Sequence, residues 1–225
     1  MPPADRVAEV VRHLEQRILS GQLAPGDKVP PERDLSAALG VSRSVVREAI
    51  GRLASLGLVC SVHGSGTRVE APNGRPITAG YQRLLRRGEL DLAHLAEVRL
   101  PLETAIAALA ARNRTDDHLA RLAAAQQALA GARAGLDGHV RADLEFHAVL
   151  AEASGNPLFG IVLAPIQELL IESRRRTLGR HGSALAHRHH AAILAAVEAR
   201  DAGAAAMRAH LEANFQHLSA DHPDP

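Results

Sequence analysis

Leu39-Gly40-Val41-Ser42-Arg43-Ser44-Val45-Val46-Arg47-Glu48-Ala49-Ile50-Gly51-Arg52-Leu53 sets a helix stop, a cap and a new helix in one short run. Gly40 supplies the left-handed backbone that ends a helix. Ser42 offers a side-chain oxygen to the first free amides of the next one. Val45, Val46, Ala49, Ile50 and Leu53 then recur at helical spacing and give it one apolar face. Upstream, a short helix is expected over Glu32–Leu39, with Pro31 tolerated at its first turn. Two short helices joined by a tight, glycine-containing turn form a helix-turn-helix.

The surrounding sequence completes a small domain. Val7, Val10, Val11, Leu14 and Ile18 line one face of a leading helix that stops at Ser20-Gly21, and Leu23-Ala24-Pro25-Gly26-Asp27 reads as a turn. Beyond Gly57, Leu58–Val62 and Thr67–Glu70 flank His63-Gly64-Ser65-Gly66, a hairpin with a glycine-rich tip. The whole is a winged helix-turn-helix.

Bulk charge does not announce nucleic acid. The 225 residues carry a formal net charge of +1, and the basic and acidic residues of 1–70 nearly cancel. Placement carries the argument instead. Arg43, Ser44 and Arg47 open the third helix behind Ser42, and a recognition helix meets base edges with its N-terminal residues. Arginine bonds guanine bidentately, and serine or arginine holds phosphates. Arg33 starts the helix beside it. One arginine on a helix is usually a solvated charge, but the set in this order, followed by a wing, points to DNA.

The composition suits the rest of the chain to helices. Trp is absent, Tyr occurs once and Phe three times, so Ala and Leu must do the packing. Cys60 is the single cysteine, which excludes an internal disulfide and suits the cytoplasm. No apolar run is long enough to span a bilayer. Ala71-Pro72-Asn73-Gly74-Arg75-Pro76 has linker composition, giving a DNA-binding domain over 1–71, a linker over 72–77 and a helical domain over 78–220. Helical patterns run over 78–88, 92–112, 115–131, 138–154, 157–178, 184–199 and 202–219, with Asp91 and Thr115 as caps and Asn156-Pro157 and Gly179 as breakers. The fold class is therefore mainly α: a winged helix-turn-helix followed by a bundle of six or seven helices.

Such a bundle can build a site from inward-facing side chains. Asp143 and His147 are four apart and share a helix side, with Phe146 beside them; His190 and His210 fall on later helices. One carboxylate and three imidazoles suit Zn, Ni or Mn. On spacing alone, an Asp/His pair is more often a satisfied surface pair. His187 and His189 compete with His190, which is preferred because Ile193, Leu194 and Val197 continue its face as a buried stripe.

Leu23 to Pro30, Glu32-Arg33-Asp34-Leu35, Leu39 to Arg43, Val46-Arg47-Glu48-Ala49 and Leu56-Gly57-Leu58-Val59 together resemble the GntR family of regulators. Pro31 stands where that family often has a serine cap. The resemblance implies DNA contacts by Arg33, Arg43 and Arg47, with His63 and Gly64 at a wing tip entering the minor groove. Asp143-Leu144-Glu145-Phe146-His147, Ser154-Gly155-Asn156-Pro157, Glu97-Val98-Arg99 with Glu103, and the two later His motifs resemble the FCD ligand-binding domain of its FadR subfamily. Members of that subfamily often hold a metal on an Asp and three His. Carried over, the ligands are Asp143, His147, His190 and His210. Arg99 would pair with an organic-acid effector, its alternative being an intrahelical pair with Glu103, and Asn214 would add a polar contact. The stretch between His190 and His210 is somewhat short for the family around 201–204, so the rotation of His210 into the site depends on where the residues are lost.

The expected function is a ligand-responsive transcription regulator: a homodimeric repressor on a palindromic operator, released by a small carboxylate effector bound at the metal site of the helical domain. The alternatives are a metalloregulator sensing the ion itself and a metal-dependent hydrolase fused to a DNA-binding module. No second carboxylate or nucleophile is placed by a motif for the hydrolase. A bundle binding an acyl chain is disfavoured by the polar Asp143/His147 pair.

Overall fold

The computed structural model describes residues 3–62, 64–131, 135–181, 183–201 and 204–220. The chain divides into two compact units, 1–76 and 77–225.

In the first unit, α1 (Pro3–Leu19), α2 (Glu32–Leu39) and α3 (Arg43–Ser55) precede β1 (Val59–Val62) and β2 (Gly66–Val69). Val7, Val10 and Leu14 of α1, Leu35 of α2, and Val46, Ala49 and Leu53 of α3 meet Val59 and Val69 in one buried core. Burying such aliphatic side chains contributes about 1.5–3 kcal/mol each. The helix-turn-helix is set by local chemistry. Gly40 ends α2 at φ +63°, and the Ser42 side chain accepts from the Val45 amide to start α3. Pro31 caps α2 with no side-chain bond.

The hairpin is antiparallel, pairing Val59 with Val69, Cys60 with Arg68, Ser61 with Thr67 and Val62 with Gly66. The expected turn before α2 does more than turn. Val29 donates to the Thr67 carbonyl, and Gly26 and Asp27 bond the backbone of Val69, so this segment lies along the outer edge of β2. Its polar Gly-Asp-Lys sequence hides a pairing that only the neighbouring strand creates.

The second unit is helical. It holds α4 (Arg75–Arg86, whose first two residues belong to the first unit), α5 (Leu92–Asn113), α6 (Asp116–Ala130), α7 (Gly135–Ala153), α8 (Pro157–Leu169), α9 (Ile171–His181), α10 (Ala184–Glu198) and α11 (Ala204–Ala220). Asp91, Thr115 and Asn156 cap α5, α6 and α8 through side-chain oxygens. The core centres on Ile106, Leu122, Phe146, Leu150, Ile193 and Met207, with alanines 107, 110, 111, 125, 151 and 153 between them. Small alanines let helices approach closely where aromatic side chains are scarce.

Two breaks differ from expectation. The pattern over 157–178 is two helices, parted at Leu170, whose amide is shared between the Ile166 and Gln167 carbonyls. Arg174 Nη1 also bonds the Gln167 carbonyl at 3.1 Å and satisfies the break. Gly179 ends nothing, because it lies within α9. A glycine inside a helix costs only about 1 kcal/mol, which tertiary contacts outweigh.

Candidate nucleic-acid interface and metal centre

The start of α3 presents Arg43, Ser44 and Arg47, all exposed. Ser42 Oγ lies 2.8 Å from Ser44 Oγ. Arg43 makes no ion pair or hydrogen bond among the described residues and is free to reach a base or phosphate. Arg47 is different. It pairs bidentately with Glu32 on α2, Nε to Oε1 at 3.1 Å and Nη2 to Oε2 at 2.8 Å. That pair lowers the Glu32 carboxyl and raises Arg47. It braces α3 against α2, with the Arg47 side chain still 72% exposed. Arg33 is also exposed and bonds its neighbour Asp34 at 3.0 Å. Gly64 sits at the hairpin tip with φ +70°, a conformation that favours glycine. His63 lies outside the described residues.

In the helical unit, Asp143 and His147 on α7, His190 on α10 and His210 on α11 converge. All four are buried, and one ligand atom from each lies within 4.8 Å of the others. His147 Nε2 and His210 Nε2 are 3.3 Å apart, and His190 Nε2 is 3.3 Å from Asp143 Oδ1. Ligand atoms about 2.0–2.2 Å from one tetrahedral ion are separated by about this much. Phe146 stacks on His190 at 4.1 Å between ring centroids and fixes that ring. His187 instead faces Gln126, and His189 is only half-buried. His210 reaches the cluster despite the short preceding loop.

The surroundings prepare the cluster for a cation. His147 Nδ1 lies 2.5 Å from Glu103 Oε2. A proton held on Nδ1 leaves the Nε2 lone pair facing the cluster. Asn214 Nδ2 lies 3.3 Å from His210 Nε2, so the amide and an ion would compete for that lone pair. His190 Nδ1 is buried without a hydrogen-bond partner, while its Nε2 faces Asp143 Oδ1. A divalent ion would take one nitrogen from each ring and one oxygen of Asp143, so the four residues fit a metal.

Charge is balanced around them. Arg99 donates through Nε to Glu103 Oε1, its i+4 neighbour on α5, and Arg174 Nε donates to Asp143 Oδ2 at 2.6 Å. Burial pushes both carboxyls up, but the arginines and histidines outweigh it and hold each well below its ordinary value. Burial pushes His190 down, and burial with neighbouring imidazoles pushes His210 further down. Both rings are thus neutral and able to ligate. Arg174 is lowered by burial and by the nearby Arg99 charge. Arg99 Nη2 and Arg174 Nη2 are both buried without a hydrogen-bond partner.

Residues 6–69 match the model described as "Bacterial regulatory proteins, gntR family", and residues 94–213 match the FCD domain. The chain belongs to the GntR family and carries its FCD domain. Among curated GntR-type relatives, the HTH-type transcriptional repressor NanR of Cronobacter sakazakii is 33% identical over 220 residues, covering 93% of this chain and 84% of the relative. The HTH-type transcriptional regulator LutR of Bacillus subtilis is 36% identical over 160 residues, covering 71% of this chain and 73% of its own. The solved Streptococcus agalactiae GntR superposes with a TM-score of 0.68 at 28% identity, covering 93% of this chain and 99% of that one. This GntR protein is accordingly a transcription regulator with a DNA-binding helix-turn-helix, not an enzyme.

Sequence reasoning missed two site residues. Arg174 stands in Arg174-Arg175-Arg176, a run that reads as solvated charge; Arg175 does face outward, to Asp137. Glu103 was noticed as a partner for Arg99, but its contact with His147 crosses from α5 to α7 and has no signature in spacing.

Proposed function

We propose that the protein is a homodimeric repressor released from a palindromic operator by a small organic acid bound at a divalent metal in the helical domain. The observation that carries this reading is the buried Asp143, His147, His190 and His210 set with the unpartnered Arg99 guanidinium nitrogen nearby. When bound, the ion supplies a Lewis-acid anchor for a carboxylate. Arg99 orients that carboxylate by a charge-assisted bond and Asn214 adds a polar contact. Zn, Ni or Mn suits this donor set. The name of the NanR relatives as repressors supports the sign.

Residues 1–71 read DNA, with Arg33, Ser42, Arg43, Ser44, Arg47, His63 and Gly64 as contacts; 72–77 link them to the sensor over 78–220. Two recognition helices of a dimer meet successive half-sites. The effector acts by binding one arrangement of the dimer better than the other. Work on DNA places the protein in the cytoplasm; no helix among the described residues is long and apolar enough to cross a membrane.

The test is a thermal-shift screen of small organic acids on the metal-loaded protein and on the chelator-treated protein, followed by operator titration. An acid that raises Tm with metal alone present, and weakens operator binding, is expected. Operator affinity that responds to the ion without any acid would replace this reading with a metalloregulator. Equal metal content in His147→Ala and wild type would remove His147 as a ligand.

A further inference from the structure

Arg174 has no part in the sequence motifs, yet it is one of two arginines built into the wall of the metal cluster. Its side chain is 10% exposed. Nε holds Asp143 Oδ2 at 2.6 Å, and Nη1 holds the Gln167 carbonyl at 3.1 Å. Nη2 is buried and has no partner. Arg99, 7% exposed, repeats the arrangement from α5: Nε is spent on Glu103, and Nη2 is buried without a partner. Two guanidiniums therefore approach the cluster from different helices, each with one donor left over. A buried donor without an acceptor is unfavourable, so this pair is suited to an anion.

The charge balance gives the same answer. Two arginines are already matched by Glu103 and Asp143. Metal-bound imidazoles are neutral. A divalent ion in the cluster thus adds two positive charges that no described side chain within it compensates, in a place with little water to screen them.

We propose that Arg174 and Arg99 make this a dianion site, whose ligand is a small dicarboxylic acid with one carboxylate on the metal and the other on the spare guanidinium donors. The proposal rests on the acid-sensing reading above and sharpens it. A monocarboxylate would leave one donor unmet and one charge unbalanced. Arg174 also ties the ligand to α9, because the same guanidinium closes the break at Leu170.

The test uses full-length, zinc-loaded protein and isothermal titration with matched acids of equal chain length, succinate against butyrate and malate against 2-hydroxybutyrate. The dicarboxylate of at least one pair is expected to bind at least about tenfold tighter, the value of one charge-assisted bond. Arg174→Gln should bring that preference near unity, and Arg174→Lys, which keeps the charge, should restore part of it. Metal content is measured in each variant. Equal or reversed preference in the wild type overturns the dianion site and leaves acid sensing intact. Failure of these and all other small acids to bind overturns both. A preference undiminished in Arg174→Gln, or a Gln variant that emerges without metal, overturns Arg174 as an anchor; the latter makes it a support for Asp143 alone.

Discussion

His147 Nδ1 lies 2.5 Å from Glu103 Oε2, a contact between α7 and α5 buried from solvent on both sides. A proton shared with that carboxylate fixes the imidazole tautomer and aims Nε2 at the cluster. Such partners typically raise metal affinity 10–100-fold. Glu103→Gln keeps the shape but loses the charge, so zinc affinity measured by chelator competition should fall by about that factor. An unchanged affinity would show that the contact is structural and does not tune the metal.

On the other unit, Arg43 and Arg47 share a helix face but not a state. Arg43 makes no ion pair or hydrogen bond among the described residues and only attracts Glu32 through space, whereas Arg47 is braced by Glu32. Arg43→Ala should therefore cost about 1–3 kcal/mol of operator affinity. It should leave Tm nearly unchanged, since no hydrogen bond or ion pair among the described residues is lost and the exposed charge only weakly attracts Glu32. Gel-shift titration and a melting curve on the same sample check both parts. Full operator binding by Arg43→Ala would remove it from the recognition surface.

These contrasts mark what the sequence could reveal. The helix-turn-helix was legible because its signals are local: Gly40, Ser42 and the apolar face from Val45 to Leu53 each act within a turn or two. The four candidate ligands were legible through motifs, and the apolar stripe of Ile193, Leu194 and Val197 favoured His190 over His187 and His189. In the structure His190 is fully buried and stacks on Phe146. Arg174 and the Glu103–His147 contact were not legible, because each joins helices far apart in sequence and neither residue type is distinctive. The outer-edge pairing of Val29 was hidden for the same reason: β2 supplies its partner from a distant part of the sequence.

Acid should weaken the metal-free protein. Burial holds His190 and His210 below their ordinary value of 6.5 in the folded state. Below that value the unfolded chain protonates these rings while the folded chain resists. The unfolded state then binds more protons, and stability falls as pH falls. Asp143 and Glu103, held below their ordinary carboxylate values, add loss of the same sign at lower pH. Chelator-treated protein should thus show a falling Tm between about pH 7.5 and pH 5.5, before the carboxylates begin to titrate. Metal should suppress the fall at the upper end, because protons must displace the ion to reach the imidazoles. Replacing His210 by Leu in the metal-free protein should flatten the slope. A wild-type Tm that stays level or rises over this interval would mean that the imidazoles are not buried in neutral form.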